Sequence, residues 1–74
     1  MRTNNPRTKL IRLRKEKKLT QEQLAKLLNK KRTTYSNYEN GYRNPDLKTI
    51  IELKRILGVS DNTFFLKDND TLSV

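Results

Sequence analysis

The sequence predicts an all-α domain of five short helices. Three observations carry that prediction. Apolar residues recur three and four positions apart through most of the chain, most of these stretches open on a capping signal, and there is no strand of ordinary length and no internal repeat. A chain of 74 residues with 24 apolar side chains holds one domain at most, and its core must be small.

The first helix is expected over about 6–18, with Asn5 as N-cap and Pro6 in the first turn, where its missing N–H costs nothing. Leu10, Ile11 and Leu13 give it a buried side, and Lys17 and Lys18 suit its carboxyl end. The second, over 21–28, is the best signposted. Thr20 and Gln23 form a capping box, Leu19 and Leu24 stand in the staple positions around it, Leu24, Leu27 and Leu28 mark one face, and Asn29 tolerates the left-handed conformation that ends a helix.

A third helix over 32–40 buries Tyr35 and Tyr38 and stops at Gly41. The turn Asn44-Pro45-Asp46 leads into a fourth over 47–57, with Asp46 as N-cap, Leu47, Ile50, Ile51, Leu53, Ile56 and Leu57 as apolar content, and Gly58 at its end. Ser60 caps a short fifth helix over 61–66, with Val59 and Phe64 in the staple arrangement. The domain is therefore expected over 1–66. Residues 67–74 form a polar tail in which Leu72 and Val74 could make a short strand against a partner.

Composition excludes several kinds of chemistry. With no Cys and no His, disulfide frameworks, zinc sites, haem ligation and thiol or imidazole catalysis lack their residues. Glu16, Glu22 and Glu39 lie on separate helices, which removes paired-carboxylate catalysis, and two glycines, Gly41 and Gly58, cannot make a phosphate-cradling loop. A non-enzyme without cofactor or metal is expected. The longest apolar run is Phe64-Phe65-Leu66, far short of the roughly 20 residues that cross a bilayer, so the expected compartment is the cytoplasm.

Charge is polarised along the chain. The first 44 residues carry 13 basic and 3 acidic side chains, net +10, and the remainder 4 basic and 5 acidic, net −1. Such a one-signed field fits a polyanion: DNA, RNA or anionic lipid. The fourth helix carries Lys48, Glu52, Lys54 and Arg55 on its polar side, not a cationic strip, so core packing is favoured there over a membrane surface.

The second and third helices meet across the three-residue turn Asn29-Lys30-Lys31, with the small Ala25 at the contact position. A steep crossing at close range needs a small side chain there, apolar residues on either side and a turn that accepts left-handed geometry. Leu24, Ala25, Leu28, Asn29, Tyr35 and Tyr38 supply these in order.

On these residues, with Leu19-Thr20-Gln21-Glu22-Gln23-Leu24-Ala25, Tyr38-Glu39-Asn40-Gly41, Asn44-Pro45 and Leu57-Gly58-Val59-Ser60 in register, residues 10–66 resemble the phage-repressor helix-turn-helix family, the Cro and cI-like or Xre-type regulators. The resemblance implies a five-helix domain whose third helix lies in the DNA major groove, in a homodimer on a palindromic operator. Arg32, Thr33 and Asn37 fall where family members read base edges, with Thr34 and Ser36 nearby. Arg suits guanine O6 and N7, and Asn suits adenine N6 and N7. Gln21 falls at a phosphate or base contact strengthened by the helix dipole, and Tyr42, Arg43 and Asn44 resemble the phosphate-contacting loop. Arg14 and Glu39 match a buried ion pair joining the first helix to the third.

The sequence also departs from the family. Lys30 stands where an apolar residue is usual, and Lys31 takes the N-cap position normally held by Ser, Thr or Asp. With Arg32 they crowd three cations at a helix amino terminus, each disfavoured by roughly 0.3 to 1 kcal/mol. DNA phosphates are expected to neutralise them. Phe64, Phe65 and Leu66 exceed what one short helix needs, which leaves two roles open: closing the core from below, or forming a dimer interface. The expected function is sequence-specific binding of double-stranded DNA by a small transcriptional regulator, a repressor rather than an activator because the chain has no room for an activating module. The alternative is an antitoxin or other protein-partner module in which DNA binding is secondary.

Overall fold

The computed structural model describes residues 6–61 and 63–65. They form four α-helices, α1 (Thr8–Glu16), α2 (Gln21–Leu27), α3 (Arg32–Asn40) and α4 (Leu47–Leu57), followed by a single 3-10 turn at Thr63–Phe65. No strand occurs among them. The fifth helix expected over 61–66 is thus reduced to one turn within the described residues. Among the described residues the Asp61 carboxylate braces this turn, accepting from the Thr63 hydroxyl at 2.9 Å and the Thr63 N–H at 3.3 Å. Leu66 and the tail from Lys67 to Val74 lie outside the described residues.

α1 begins two residues later than its expected start. The N-cap is Arg7, at φ −101° and ψ 80°, without a side-chain cap. Its N–H is given to the Glu39 carbonyl at 2.8 Å, which holds the residue out of the helix and against the end of α3. Asn5, the expected cap, lies outside the described residues. The carboxyl end of α1 falls at Glu16, because Lys18 turns left-handed at φ +58°. Leu19 N–H then bonds Arg14 carbonyl at 3.2 Å and Lys18 N–H bonds Lys15 carbonyl at 2.9 Å, the paired bonds of a Schellman ending.

The same device closes the next two helices. Asn29 at φ +61° ends α2, with Lys30 N–H on Ala25 carbonyl at 2.9 Å. Gly41 at φ +83° ends α3, with Tyr42 N–H on Asn37 carbonyl at 3.0 Å. Gly58 at φ +72° ends α4 in a related way, both Gly58 N–H and Val59 N–H reaching Lys54 carbonyl. At the amino ends, the capping box of Thr20 and Gln23 is fully formed, and the Asp46 carboxylate accepts from Thr49 N–H at 2.9 Å. These Thr49 bonds hold the Asp46 carboxyl below the usual carboxylate range, with a smaller contribution from Lys30.

The core gathers one or more residues from every element: Leu10, Leu24, Ala25, Leu28, Tyr35, Tyr38, Leu53, Leu57 and Phe64, flanked by Leu13, Leu19, Ile50, Ile56 and Val59. Tyr35 and Tyr38 meet edge to face with ring centroids 6.2 Å apart. Phe64 is fully buried in this single-chain core, so it closes the core and is not available to a second copy. The Phe65 side chain is outside the described set. Three residues expected to be buried are not: Leu27 is exposed on α2, and Leu47 (73% exposed) and Ile51 (49%) share the outer face of α4. On α4 the core side instead takes Thr49, Leu53 and Leu57, four residues apart, which turns Leu47 and Ile51 away. No helix among the described residues is long and apolar enough to cross a membrane.

Candidate nucleic-acid interface

α2 packs on α3 through Ala25, which is 1% exposed and lets the two backbones approach. Ala25 carbonyl also accepts the N–H of Leu28 and of Lys30, so the residue at the crossing anchors the turn that follows it. The turn itself runs through Leu28, Asn29 and Lys30, and Lys31 is the N-cap of α3, with no side-chain cap bond.

Behind α3 lies a buried polar hub. Glu39 is 1% exposed. Its carboxylate receives Arg14 Nε at 2.5 Å and Tyr35 hydroxyl at 2.6 Å on one oxygen, with Gln21 Nε2 at 2.8 Å and Arg14 Nη2 at 3.4 Å on the other. Arg14 Nη1 goes on to Leu19 carbonyl at 2.8 Å. Burial works against the Arg14 charge, but the hydrogen bond and charge of Glu39 outweigh it and raise the guanidinium above its ordinary value. Burial, aided by the Glu39 bond, pushes the Tyr35 phenol well above its ordinary value. A carboxylate satisfied this fully is a rigid reference point for three helices.

The hub reaches the surface through Gln21. While its Nε2 donates to Glu39, its Oε1 accepts from Arg32 Nη1 at 3.3 Å. The start of α2 and the start of α3 are thereby tied side chain to side chain, with Arg32 on the outside. From Arg32 the outer face of α3 continues through Thr33, Ser36 and Asn37 at helical spacing. Arg32 and Thr33 are exposed, and Ser36 and Asn37 half-buried. Thr34 sits on the flank of this face, half-buried and toward the Tyr38 side.

Cations border this face. Lys30, half-buried, and Lys31, exposed, precede it. Beyond α3, Tyr42 (67% exposed), Arg43 and Asn44 lie on the surface loop, where Asn44 has a second task because its Oδ1 accepts from Arg7 Nη2 at 2.7 Å. On the other side, Arg14, Lys15, Lys18, Leu19, Thr20, Gln21, Glu22 and Arg32 line an open hollow of about 510 Å³.

Sequence reasoning missed several of these positions. Lys15 and Lys18 enter the hollow because the left-handed Lys18 turns the chain there, and a lysine carries no signal for that conformation. Asn40 stands on the same face as Ser36, its Nδ2 at 3.5 Å from the Ser36 hydroxyl, one turn on from it. The expected first helix takes in Arg7, yet Arg7 is its N-cap in the structure, 2% exposed and bonded to the end of α3. A buried arginine next to a proline gives no pattern from which its partners can be read.

Two helices joined by a tight left-handed turn, the second with an exposed polar face among cations, define a helix-turn-helix domain. The family model described as helix-turn-helix matches residues 10–64, and the chain belongs to this family, of the Xre type with Cro and cI-like members. It is a family of DNA-binding transcriptional regulators. The chain is 49% identical over 51 residues to the uncharacterized HTH-type transcriptional regulator YqaE of Bacillus subtilis (strain 168), covering 69% of this chain and 44% of that protein. It is 42% identical over 59 residues to an SPbeta prophage-derived uncharacterized HTH-type transcriptional regulator, YonR, of the same organism, covering 80% and 54%. It is also 43% identical over 49 residues to multiprotein-bridging factor 1b of Arabidopsis thaliana, covering 66% and 34%. The chain therefore spans about half or less of each relative's own length.

Proposed function

We propose that this chain binds duplex DNA sequence-specifically and acts as a small transcriptional repressor by occupying an operator, with α3 in the major groove. The observation that carries the reading is the outer face of α3. Arg32, Thr33, Ser36 and Asn37 are open to solvent wholly or in part, bordered by Lys30 and Lys31 at one end and Arg43 beyond the other, and backed by the hub on Glu39. Arg32, Thr33 and Asn37 read base edges, Arg32 on guanine and Asn37 on adenine. Gln21, Lys30, Lys31, Tyr42, Arg43 and Asn44 hold the sugar-phosphate backbone, with Thr34 and Ser36 close by.

The functional unit in this reading is a homodimer on a palindromic operator, its two α3 helices about 34 Å apart. Among the described residues, Leu47 and Ile51 form an exposed apolar pair on α4 that is open to a second copy. Lys48, Glu52 and Arg55 border it, and this rim of both signs can pair with itself across a two-fold axis. For the protein-partner reading, Phe64 is no longer a support, since it belongs to the core.

The deciding experiment is a salt-titrated fluorescence-anisotropy comparison of wild type and Arg32→Ala on DNA from upstream of its own gene and on a scrambled duplex. A sequence preference that shrinks by about 1 to 3 kcal/mol in the variant supports base readout by α3. Equal, steeply salt-dependent binding to both duplexes overturns it. Sedimentation of wild type and Ile51→Glu in parallel tests the dimer, which the variant should dissociate.

A further inference from the structure

The loop that follows α3 is held by a residue from the far end of the chain. Arg7, 2% exposed, donates through Nη1 to Tyr38 carbonyl at 2.6 Å and to Arg43 carbonyl at 3.0 Å, and through Nη2 to Asn44 Oδ1 at 2.7 Å. Its backbone N–H reaches Glu39 carbonyl at 2.8 Å. One guanidinium therefore ties the last turn of α3 to the far end of the segment 41–44, at Arg43 and Asn44.

This placement answers a need of α3. Its last turn contains no basic residue, although the carbonyl end of a helix favours a cation. Arg7 supplies that cation from outside the helix, and its planar fork spreads donors over separate nitrogens in a fixed plane, whereas a lysine gathers its donors on one nitrogen at the end of a flexible stem. Between the clamped points, Tyr42 and Arg43 carry exposed side chains. Apart from Arg7, the loop is held by Tyr42 and Arg43 N–H, both on Asn37 carbonyl, and by Gly41 N–H on Tyr38 carbonyl at 3.3 Å.

We propose that Arg7 is a positioning residue for nucleic-acid binding: it fixes loop 41–44 so that Tyr42 and Arg43 meet the phosphate backbone already ordered. The proposal rests on the DNA-binding reading above. Pre-ordering matters because a contact made by a loose loop gives up part of its affinity to ordering that loop.

The test uses the full chain, with Arg7→Met removing the clamp and Arg7→Lys keeping the charge without the fork. Circular dichroism first establishes that each variant is folded; if Arg7→Met is not, Arg7→Lys decides. In ¹⁵N heteronuclear NOE measurements, the Tyr42 and Arg43 amides should loosen in both variants, less in Arg7→Lys, while Leu24 and Leu53 stay rigid. Affinity for a fluorescein-labelled duplex of mixed sequence at low salt should fall roughly tenfold in Arg7→Met, the size of one lost charge-assisted contact, and the salt slope should fall by roughly 1. In a Tyr42→Ala, Arg43→Ala background the same substitution should change affinity by less than about twofold. Unchanged loop amides, or an equal loss of affinity in both backgrounds, overturns the proposal. A wild type that binds no duplex overturns the DNA reading instead, and the amide measurements then decide whether Arg7 anchors the loop.

Discussion

Gln21 donates to the Glu39 carboxylate at 2.8 Å across 18 positions of sequence, and through this bond the first residue of α2 is referenced to the buried end of α3. The same amide accepts from Arg32 on its other side at 3.3 Å. A side chain read as a backbone contact for DNA is thus also the strut between the core and the first base-reading candidate.

Gln21→Ala should therefore separate stability from recognition. One part-buried hydrogen bond is lost, costing about 1 kcal/mol in urea unfolding. Arg32 loses its holding partner, so sequence preference in anisotropy should decline along with affinity. Gln21→Glu places a second carboxylate against Glu39 and should be the more destabilising of the two. A Gln21→Ala variant with wild-type affinity and preference would show that the strut has no part in recognition.

The ion pair of Arg14 and Glu39 is nearly shut off from water, with side chains 10% and 2% exposed. Removing one partner strands the other, so Glu39→Gln should cost about 3 kcal/mol, at the low end of the range because the amide keeps acceptor capacity. The urea midpoint should fall with little change in slope. Replacing both, as Arg14→Met with Glu39→Leu, should recover much of that loss while disturbing the placement of Gln21. A double variant no more stable than Glu39→Gln would count against this account.

Lys30, Lys31 and Arg32 meet at the amino end of α3, where no side chain caps the helix. Reversing Lys30 and Lys31 to Glu should leave the fold intact or slightly firmer, since acidic groups suit that end. It should also weaken duplex binding and lower the salt slope by roughly 2 or more. If affinity and slope stay unchanged, these lysines form a solvated turn and do not contact phosphate.

Most of the fold was legible because local chemistry and global packing agree in it. Thr20 with Gln23, Asp46, Asn29, Gly41 and Gly58 each announce a helix boundary by a mechanism that acts within a few residues, and all five occur where expected. The misses lack such a residue-level signal. Lys18 is left-handed because the α1 ending requires it, Arg7 leaves α1 because α3 needs its guanidinium, and Leu47 and Ile51 are exposed because Thr49 and Leu53 take the core side. Arg7 depends on a partner in another element, Leu47 and Ile51 on a choice among several apolar residues of one helix, and Lys18 on a conformation for which a lysine carries no signal. The candidate site was legible as a set of surface side chains on α3, but the hub that supports it was visible only in part. The pairing of Arg14 with Glu39 was suggested by the family pattern, whereas the bonds from Gln21 and Tyr35 need coordinates.

Tyr35 gives the domain an alkaline limit. Its hydroxyl is buried and donates to Glu39 at 2.6 Å, and burial followed by that bond raises the phenol well above its ordinary value. In the unfolded chain the phenol ionises near pH 10, while in the folded chain it keeps its proton. Below about pH 10 both states are protonated there and the contribution of this group to stability is fully present. Above it the unfolded state loses a proton that the folded state retains, so stability falls as pH rises. Urea midpoints taken from about pH 8 to pH 11.5 should decline beyond pH 10. In Tyr35→Phe they should start lower, because Glu39 has lost a donor, but decline less steeply over the same window. Parallel decline in the two proteins would place the alkaline sensitivity elsewhere and remove Tyr35 from this role.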